Sequence, residues 1–423
     1  MRIAVIGSGI AGLASAWLLA RIHEVTLYEA NDYFGGHTHT HEVEAAGRRH
    51  AVDSGFIVFS PRHYPLLTRL LAELGVDSQP TTMSFSVRSE ASGLEYNAGS
   101  LDGLFCQRQN LLSPRFLGMV RDLLRFYREA PVLLQHPGDG PTLGRYLHLR
   151  GYGEAFRDEH LVPMAAALWS SPPSRILEFP ARYLVQFMAN HQMLDVCGRP
   201  AWRVVRGGSA SYVHAMRAAW RVGERLNCPV RRVSRGPRHV LVSHDGGCES
   251  FDQVVLACHS DEALALLAQP SERERSILAA ITYQPNDVVL HTDAALLPRR
   301  RKAWAAWNAL VPRDPTEPCT VSYCMNLLQG IDSPEPLVVT LNRTRAIDPA
   351  KVLRRMRYHH PLYTHAAVAA QRRRAEIQGA DRVWFAGAYW GWGFHEDGVR
   401  SAVEVAAGLG ARWIAAAPGA VAA

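Results

Sequence analysis

An apolar run, Ile3-Ala4-Val5-Ile6, passes directly into Gly7-Ser8-Gly9-Ile10-Ala11-Gly12 and then into a helix-like apolar stretch. Few local patterns constrain a fold so tightly: this is the strand, turn and helix of a dinucleotide-binding βαβ unit. Gly7 permits the tight turn, Gly9 lets the backbone approach a pyrophosphate, and Gly12 lets the helix pack closely on the strand. The phosphates, beside Ser8, Ile10 and Ala11, then meet the positive end of a helix. A second strand-like run, Glu24-Val25-Thr26-Leu27-Tyr28-Glu29, ends in an acid at the spacing where a carboxylate accepts hydrogen bonds from both hydroxyls of an adenosine ribose. Glu29 therefore argues against a 2′-phosphorylated cofactor.

The stretch from Ile3 to Ala20, apolar with Arg2 in front, could also be taken for a secretory signal. The phosphate-loop spacing of three glycines and the strand that follows favour a folded unit instead. No other uncharged apolar run reaches the roughly 18 residues of a membrane span. Seven cysteines form no C-x-x-C pair and no zinc spacing, which suits reduced thiols and a cytoplasmic location. At 423 residues and 48% hydrophobic the chain can bury a large core, and its length suggests two or three domains. The net charge of +7 is mild for this size. The basic clusters Arg299 to Lys302 and Arg372 to Arg374 lack interleaved base-stacking aromatics, so they read as solvated helix faces and no nucleic-acid partner is expected. The oligomeric state is not legible.

Beyond residue 60 the pattern becomes discontinuous. From about Pro61 to Pro200 it reads mainly helical, with apolar residues at 3.6 spacing over Tyr64 to Leu74 and Phe116 to Leu134. A further nucleotide-domain piece follows: Gly207-Gly208-Ser209 opens a helix to about Trp220, Pro229 to Val233 and Val240 to Ser243 read as strands, and Phe251 to Cys258 as a buried strand. Residues 282–377 mix strands with polar turns. A last strand, Arg382 to Gly387, leads to a Gly-rich segment and a helix from about Gly398 to Ala416. The expectation is an α/β fold: a Rossmann-like dinucleotide domain built from residues 1–60, 201–275 and 380–417. An α+β substrate domain, residues 61–200 and 276–379, is inserted in it, and residues 418–423 form a frayed tail.

At Gly35-Gly36-His37 the sequence comes to resemble the amine oxidase, protoporphyrinogen oxidase and phytoene desaturase superfamily of FAD-dependent flavoproteins. There the first βαβ unit ends in an acid and is followed by a Gly-Gly-basic loop over the FAD pyrophosphate. Glu29, Ala30, Gly35 and Gly36 match that pattern, while His37 stands where arginine is usual, which makes the charge on that contact depend on pH. Asp53-Ser54-Gly55-Phe56 looks like the superfamily turn that approaches the flavin. Val383 to Gly398 looks like the C-terminal flavin motif, and its Gly-Phe-His-Glu-Asp-Gly core resembles a bacterial and plant group of FAD-binding oxidoreductases. The resemblance covers nearly the whole chain. It implies a glutathione-reductase-like, amine-oxidase-type FAD domain with FAD contacts at Gly387, Phe394, His395, Glu396, Asp397, Gly398 and Val399, and a backbone contact from Val230 to the adenine. Ala388 departs from the acid that many relatives carry there. No cysteine lies in the C-terminal motif, so FAD is expected to be held noncovalently.

Hydride transfer to a flavin is largely the cofactor's chemistry, so neither a nucleophile nor a metal cluster need show. The alternating His37, His39 and His41 read as polar positions of a strand, and no metal is expected. Only Lys302 and Lys351 are lysine, and neither matches the lysine that superfamily amine oxidases often place near the flavin. His291 is a candidate base, with His395 beside it in the candidate set. Tyr389, Trp390 and Trp392 could wall a substrate, and such aromatics suit an apolar chain or an amine cation alike. Leu111 to Leu134 is amphipathic with arginines on one face, as a helix resting at the inner face of an anionic bilayer would be. The expectation is a flavin-dependent oxidoreductase removing hydride from a fatty-acyl or other lipid carbon. An amine oxidase and a noncatalytic flavin-binding protein remain alternatives.

Overall fold

The computed structural model describes residues 1–413 except 137, 196, 197, 199, 315, 316 and 318. The expected frayed tail and the expected end of the last helix near Ala416 lie outside the described residues. Arg2–Ile6 is a strand and Ile10–Leu19 the helix after the glycine turn. A five-stranded parallel sheet runs in the order Val222–Arg225, Glu24–Tyr28, Arg2–Ile6, Gln253–Leu256, Val383–Phe385. Strands covered on both faces must be apolar throughout, and the central pair Ile3–Val5 and Val254–Leu256 is fully buried. Beside this sheet lies an antiparallel meander of Val230–Arg235, Val240–His244 and Gly247–Phe251.

The second layer is a mixed seven-stranded sheet. Its order is Val352–Pro361, Tyr283–His291, Val338–Leu341, Thr320–Cys324, Trp307–Val311, Phe85–Ser89, Glu95–Asn97, antiparallel except between Trp307–Val311 and Phe85–Ser89. Two of these strands arise inside the region that reads mainly helical. Their apolar alternation is masked because Ser86 and Ser89 are buried; the Ser86 hydroxyl donates to Asn308 Oδ1 at 2.8 Å, so a polar side chain sits inside without cost. The helices of the insertion, among them Pro114–Glu129, Val162–Trp169 and Ala181–Asn190, cover this sheet.

Three boundaries differ from expectation. The helix expected over 116–134 ends at Glu129 and passes into a tighter turn, Ala130–Gln135, where Pro131 has no N–H to continue the ladder. The final helix begins at His395, not Gly398, because Asp397 accepts the Phe394 N–H and closes the first turn three residues earlier; it ends at Gly408. Gly398 instead lies where this helix crosses Ile10–Leu19, and a Cβ there would come within 2.7 Å of Ile10 Cγ2. Helix Pro65–Glu73, beyond the division expected at residue 60, buries Leu67, Leu70 and Leu71 in the core of the nucleotide layer. Among the described residues no helix is long and apolar enough to cross a membrane.

Candidate active site

A cavity of about 1130 Å³ runs along the glycine turn and into the insertion. At its nucleotide end the sequence folds as its residues require. Gly7 has φ +98°, and a Cβ on Gly12 would stand 1.9 Å from the Gly7 carbonyl oxygen, so neither position tolerates a side chain. Gly9 has open space in front of it, as a phosphate approach demands. Glu29 is buried; its carboxylate accepts the Ser8 backbone N–H at 3.0 Å, the Asn31 backbone N–H and the Asn31 amide, both at 2.8 Å, and the Ser8 hydroxyl. Two of these four donors are side chains that can yield to ribose hydroxyls. Gly35 donates its N–H to the Ser8 carbonyl at 3.1 Å, which brings the Gly35-Gly36 loop over the glycine turn. Ala30, Val230 and His37 also line this end.

The turn Asp53-Ser54-Gly55-Phe56 is pinned from behind. Asp53 is buried and accepts the N–H and hydroxyl of Ser209 and the amide of Gln329, and burial still pushes its carboxyl up to about 6. Gly55 passes so close to His37 that a Cβ would meet its carbonyl oxygen at 2.2 Å. Phe56 stacks on His395 with centroids 3.5 Å apart. His395 Nε2 lies 3.0 Å from the Thr38 hydroxyl and 3.2 Å from that of Tyr212, and burial holds the ring neutral, its pKa pushed down to about 3. It is thus a fixed, uncharged wall residue.

The Gly-rich loop is held by the insertion. Trp169 donates its indole N–H to the Trp392 carbonyl at 3.1 Å, Tyr183 its hydroxyl to the Gly391 carbonyl at 2.9 Å, and Gln371 its amide to the carbonyls of Tyr389 and Gly391. Phe187 stacks on Phe394 at 5.3 Å and meets Trp392 edge-on at 5.9 Å. These clamps are absent from the sequence reading. Their one local signal is the spacing of Tyr183, Phe187 and His191 on one face of the helix Ala181–Asn190 and its cap.

Gly387, Tyr389, Trp392, Phe394 and His395 line the cavity with Gly55 and Phe56. Glu396, Asp397, Gly398 and Val399 do not. Glu396 accepts the N–H groups of Leu66 and Leu67 at 3.1 and 3.0 Å, capping helix Pro65–Glu73, and Asp397 accepts those of Trp392 and Phe394 and pairs with Arg400 at 2.8 Å. Trp390 turns away, packed beside Tyr389 and under the Arg374 guanidinium. His291 is also outside the cavity wall: its Nε2 meets the Thr340 hydroxyl at 2.8 Å and its Nδ1 accepts the Asp293 N–H at 3.0 Å. Both ring nitrogens are thus engaged, and burial lowers its pKa to about 4, so no free base is offered to the cavity. The His39 and His41 rings lie 3.9 Å apart, tilted by 43°, while His37 turns into the cavity, so the three do not share a strand face. Among the described residues no cluster could hold a metal. Lys302 pairs with Asp102 and Lys351 with Asp293, both away from the cavity.

Residues 10–341 match the family described as flavin containing amine oxidoreductase. The chain belongs to that family of FAD-dependent oxidoreductases, and the Gly9 opening, the Glu29 carboxylate and the loop at Gly387 are the features of this structure that fit FAD. AofH of Mycobacterium tuberculosis, assigned as a flavin-containing monoamine oxidase, is 27% identical over 63% of this chain and 59% of its own. The chain thus spans about three-fifths of that relative's length. Two solved structures share the fold at 16% identity. Putrescine oxidase bound to putrescine has a TM-score of 0.71 over 97% of this chain and 100% of its own. The fatty acid isomerase from P. acnes that produces CLA has a TM-score of 0.65 over 95% and 96%.

Proposed function

We propose that the protein is a FAD-dependent oxidoreductase that removes hydride from a carbon of an apolar substrate, a fatty-acyl or other lipid chain. One observation carries this reading. The only carboxylates in the cavity wall among the described residues are Glu29 and Glu262, both at the nucleotide end, while the inserted side is lined by residues such as Met83, Phe85, Met164, Leu168, Trp169 and Phe187. An ammonium group entering such a chamber would lose its hydration with no counter-charge to meet it. An apolar chain loses nothing there and gains about 25 cal/mol per Å² removed from water.

FAD, when bound, supplies the ring that accepts the hydride. The chain's part is to place the substrate and exclude water. Tyr389, Trp392 and Phe394 form the wall between the flavin loop and the chamber. His191 donates Nδ1–H to the Phe187 carbonyl at 2.9 Å, so its other nitrogen is unprotonated; burial lowers its pKa to about 4, and it lines the chamber as a neutral hydrogen-bond acceptor.

Lipid access has support on the outer face. Helix Pro114–Glu129 buries Phe116, Met119 and Phe126, while Leu117, Arg121, Leu124 and Arg128 form its exposed stripe, with Leu112 and Leu101 exposed before it. Leucines with arginines that can snorkel suit peripheral contact with an anionic bilayer on the cytoplasmic side. Tyr127 of the same helix lines the cavity.

The test is anaerobic mixing of the oxidised protein with unsaturated fatty acyl lipids and, separately, with primary amines and polyamines. The flavin band should bleach with the lipids. Bleaching by amines alone overturns the apolar reading in favour of an amine oxidase. Bleaching by neither, while dithionite reduces the flavin, points to a noncatalytic flavoprotein.

A further inference from the structure

Beside the glycine turn the cavity wall carries four imidazoles, His37, His259, His359 and His360, and no lysine among the described residues. They come from three separate elements. His37 follows the Gly35-Gly36 loop, His259 caps the helix Ser260–Leu266, and His359 and His360 end the edge strand Val352–Pro361. The His37 ring lies 5.2 Å from that of His360 and 6.2 Å from that of His259, which is 6.2 Å from His359. His37 Nε2 is buried with no hydrogen-bond partner, an exception that a native interior calls on a ligand to explain. His360 is oriented: its Nδ1 accepts from the Asn286 amide at 2.9 Å, and Asn286 in turn accepts from Asn342, so the His360 proton stands on Nε2 as a donor.

We propose that His37, with His360 and His259 around it, forms a proton-accepting cradle for the cofactor's pyrophosphate, so that holding FAD is coupled to proton uptake. The proposal rests on the FAD reading of the site. A dinucleotide brings two negative charges to a wall whose one fixed cation among the described residues is Arg357, paired at 3.8 Å with Asp287. Backbone N–H groups of the Ile10–Leu19 helix meet part of that charge. Imidazoles packed together stay neutral until an anion arrives. Burial, then His360, His259, His395 and His359, hold His37 well below its usual range, and burial and its neighbours bring His360 to about 4.

The surroundings of His37 permit this. Tyr358 faces it at 4.8 Å from the edge strand, and His395 comes from the last helix. On its own loop Tyr33 donates to the Gly36 carbonyl. The nearby acids serve other groups: Glu262 accepts the His259 backbone N–H at 3.0 Å and, with Asp261, favours a charged His259, while Glu29 is bound by Ser8 and Asn31. After burial, the strongest influences on His37 are the four imidazoles of His360, His259, His395 and His359. A bound anion raises the imidazole pKa values. The extra affinity is complete only below the pKa of the unliganded protein, falls progressively as pH rises above it, and is gone once pH passes the raised pKa.

The experiment follows FAD released from diluted, flavin-loaded protein by its regained fluorescence, from about pH 6 to about pH 9, with circular dichroism as the measure of fold. The apparent Kd should climb with pH, by up to about tenfold per unit for each coupled proton. His37→Arg, with a permanent charge, should retain FAD with a flatter profile, and His37→Phe should retain it poorly throughout. Calorimetry of FAD rebinding in two buffers of unlike ionisation enthalpy counts the protons in the wild-type protein alone, so the proposal stands or falls even if a variant does not fold. No net proton uptake, or a His37→Arg slope equal to the parent's, overturns it. Wild-type protein that holds no flavin at any pH overturns the cofactor reading, and the cradle with it.

Discussion

Glu29 shows how a single residue's role can be both local and testable. Replacing it with alanine removes the charged acceptor proposed for the ribose and leaves the N–H groups of Ser8 and Asn31 without their present partner. Glu29→Ala should therefore weaken FAD retention by about 1.5–3 kcal/mol, read as a higher Kd in a flavin titration, while the flavin remains reducible once excess FAD is supplied. Unchanged retention would remove the ribose assignment. The place of these residues in the fold was legible because Gly7, Gly9, Gly12 and Glu29 belong to a single βαβ unit, whose spacing is local. Trp169 and His191 were not legible. They reach the cavity through packing between segments some two hundred residues apart, as the bond from Trp169 to Trp392 illustrates.

Among elements, the start of helix Pro65–Glu73 is the clearest case of one segment completing another. Tyr64 precedes it and offers no side-chain cap, so the free N–H groups of Leu66 and Leu67 depend on Glu396 from the last helix. Glu396→Ala should lower stability by about 1–2 kcal/mol, measured as a fall in the melting temperature of the loaded protein. A melting temperature equal to the parent's would show that water can replace the carboxylate. Sequence alone suggested that Glu396 faces the cofactor, because its neighbours in the Gly-Phe-His-Glu-Asp-Gly core match a flavin motif. A helix turns successive residues by about 100°, so one motif can point His395 at the cavity and Glu396 at a different helix. The strand Phe85–Ser89 was hidden for a related reason: its buried Ser86 is matched by Asn308, on a strand two hundred residues later.

At the scale of the molecule, the exposed leucines gather on the insertion: Leu101, Leu111, Leu112, Leu117 and Leu124 all lie within one stretch, and Leu112 is 88% exposed. The protein should float with vesicles containing anionic lipid and release at high salt, and it should ignore purely zwitterionic ones. Leu112→Asp with Leu117→Asp should abolish flotation without altering flavin content. Equal flotation of this variant would detach the helix from membrane contact. The two-layer plan was largely legible, because three motifs in the right order define a split nucleotide fold. The apolar chamber was not, since its walls are assembled from both sheets and the insertion.

The Gly-rich loop, tied by Trp169, Tyr183 and Gln371 to the insertion, also bears on when the cofactor can be acquired during synthesis. The glycine turn and Glu29 leave the ribosome early, yet the strand Val383–Phe385 that closes the parallel sheet and the loop after it emerge only once nearly all the described chain has been made. Domains fold as their chain becomes complete. A nascent chain therefore carries the glycine turn and Glu29 long before it carries the Gly-rich loop that faces them across the cavity.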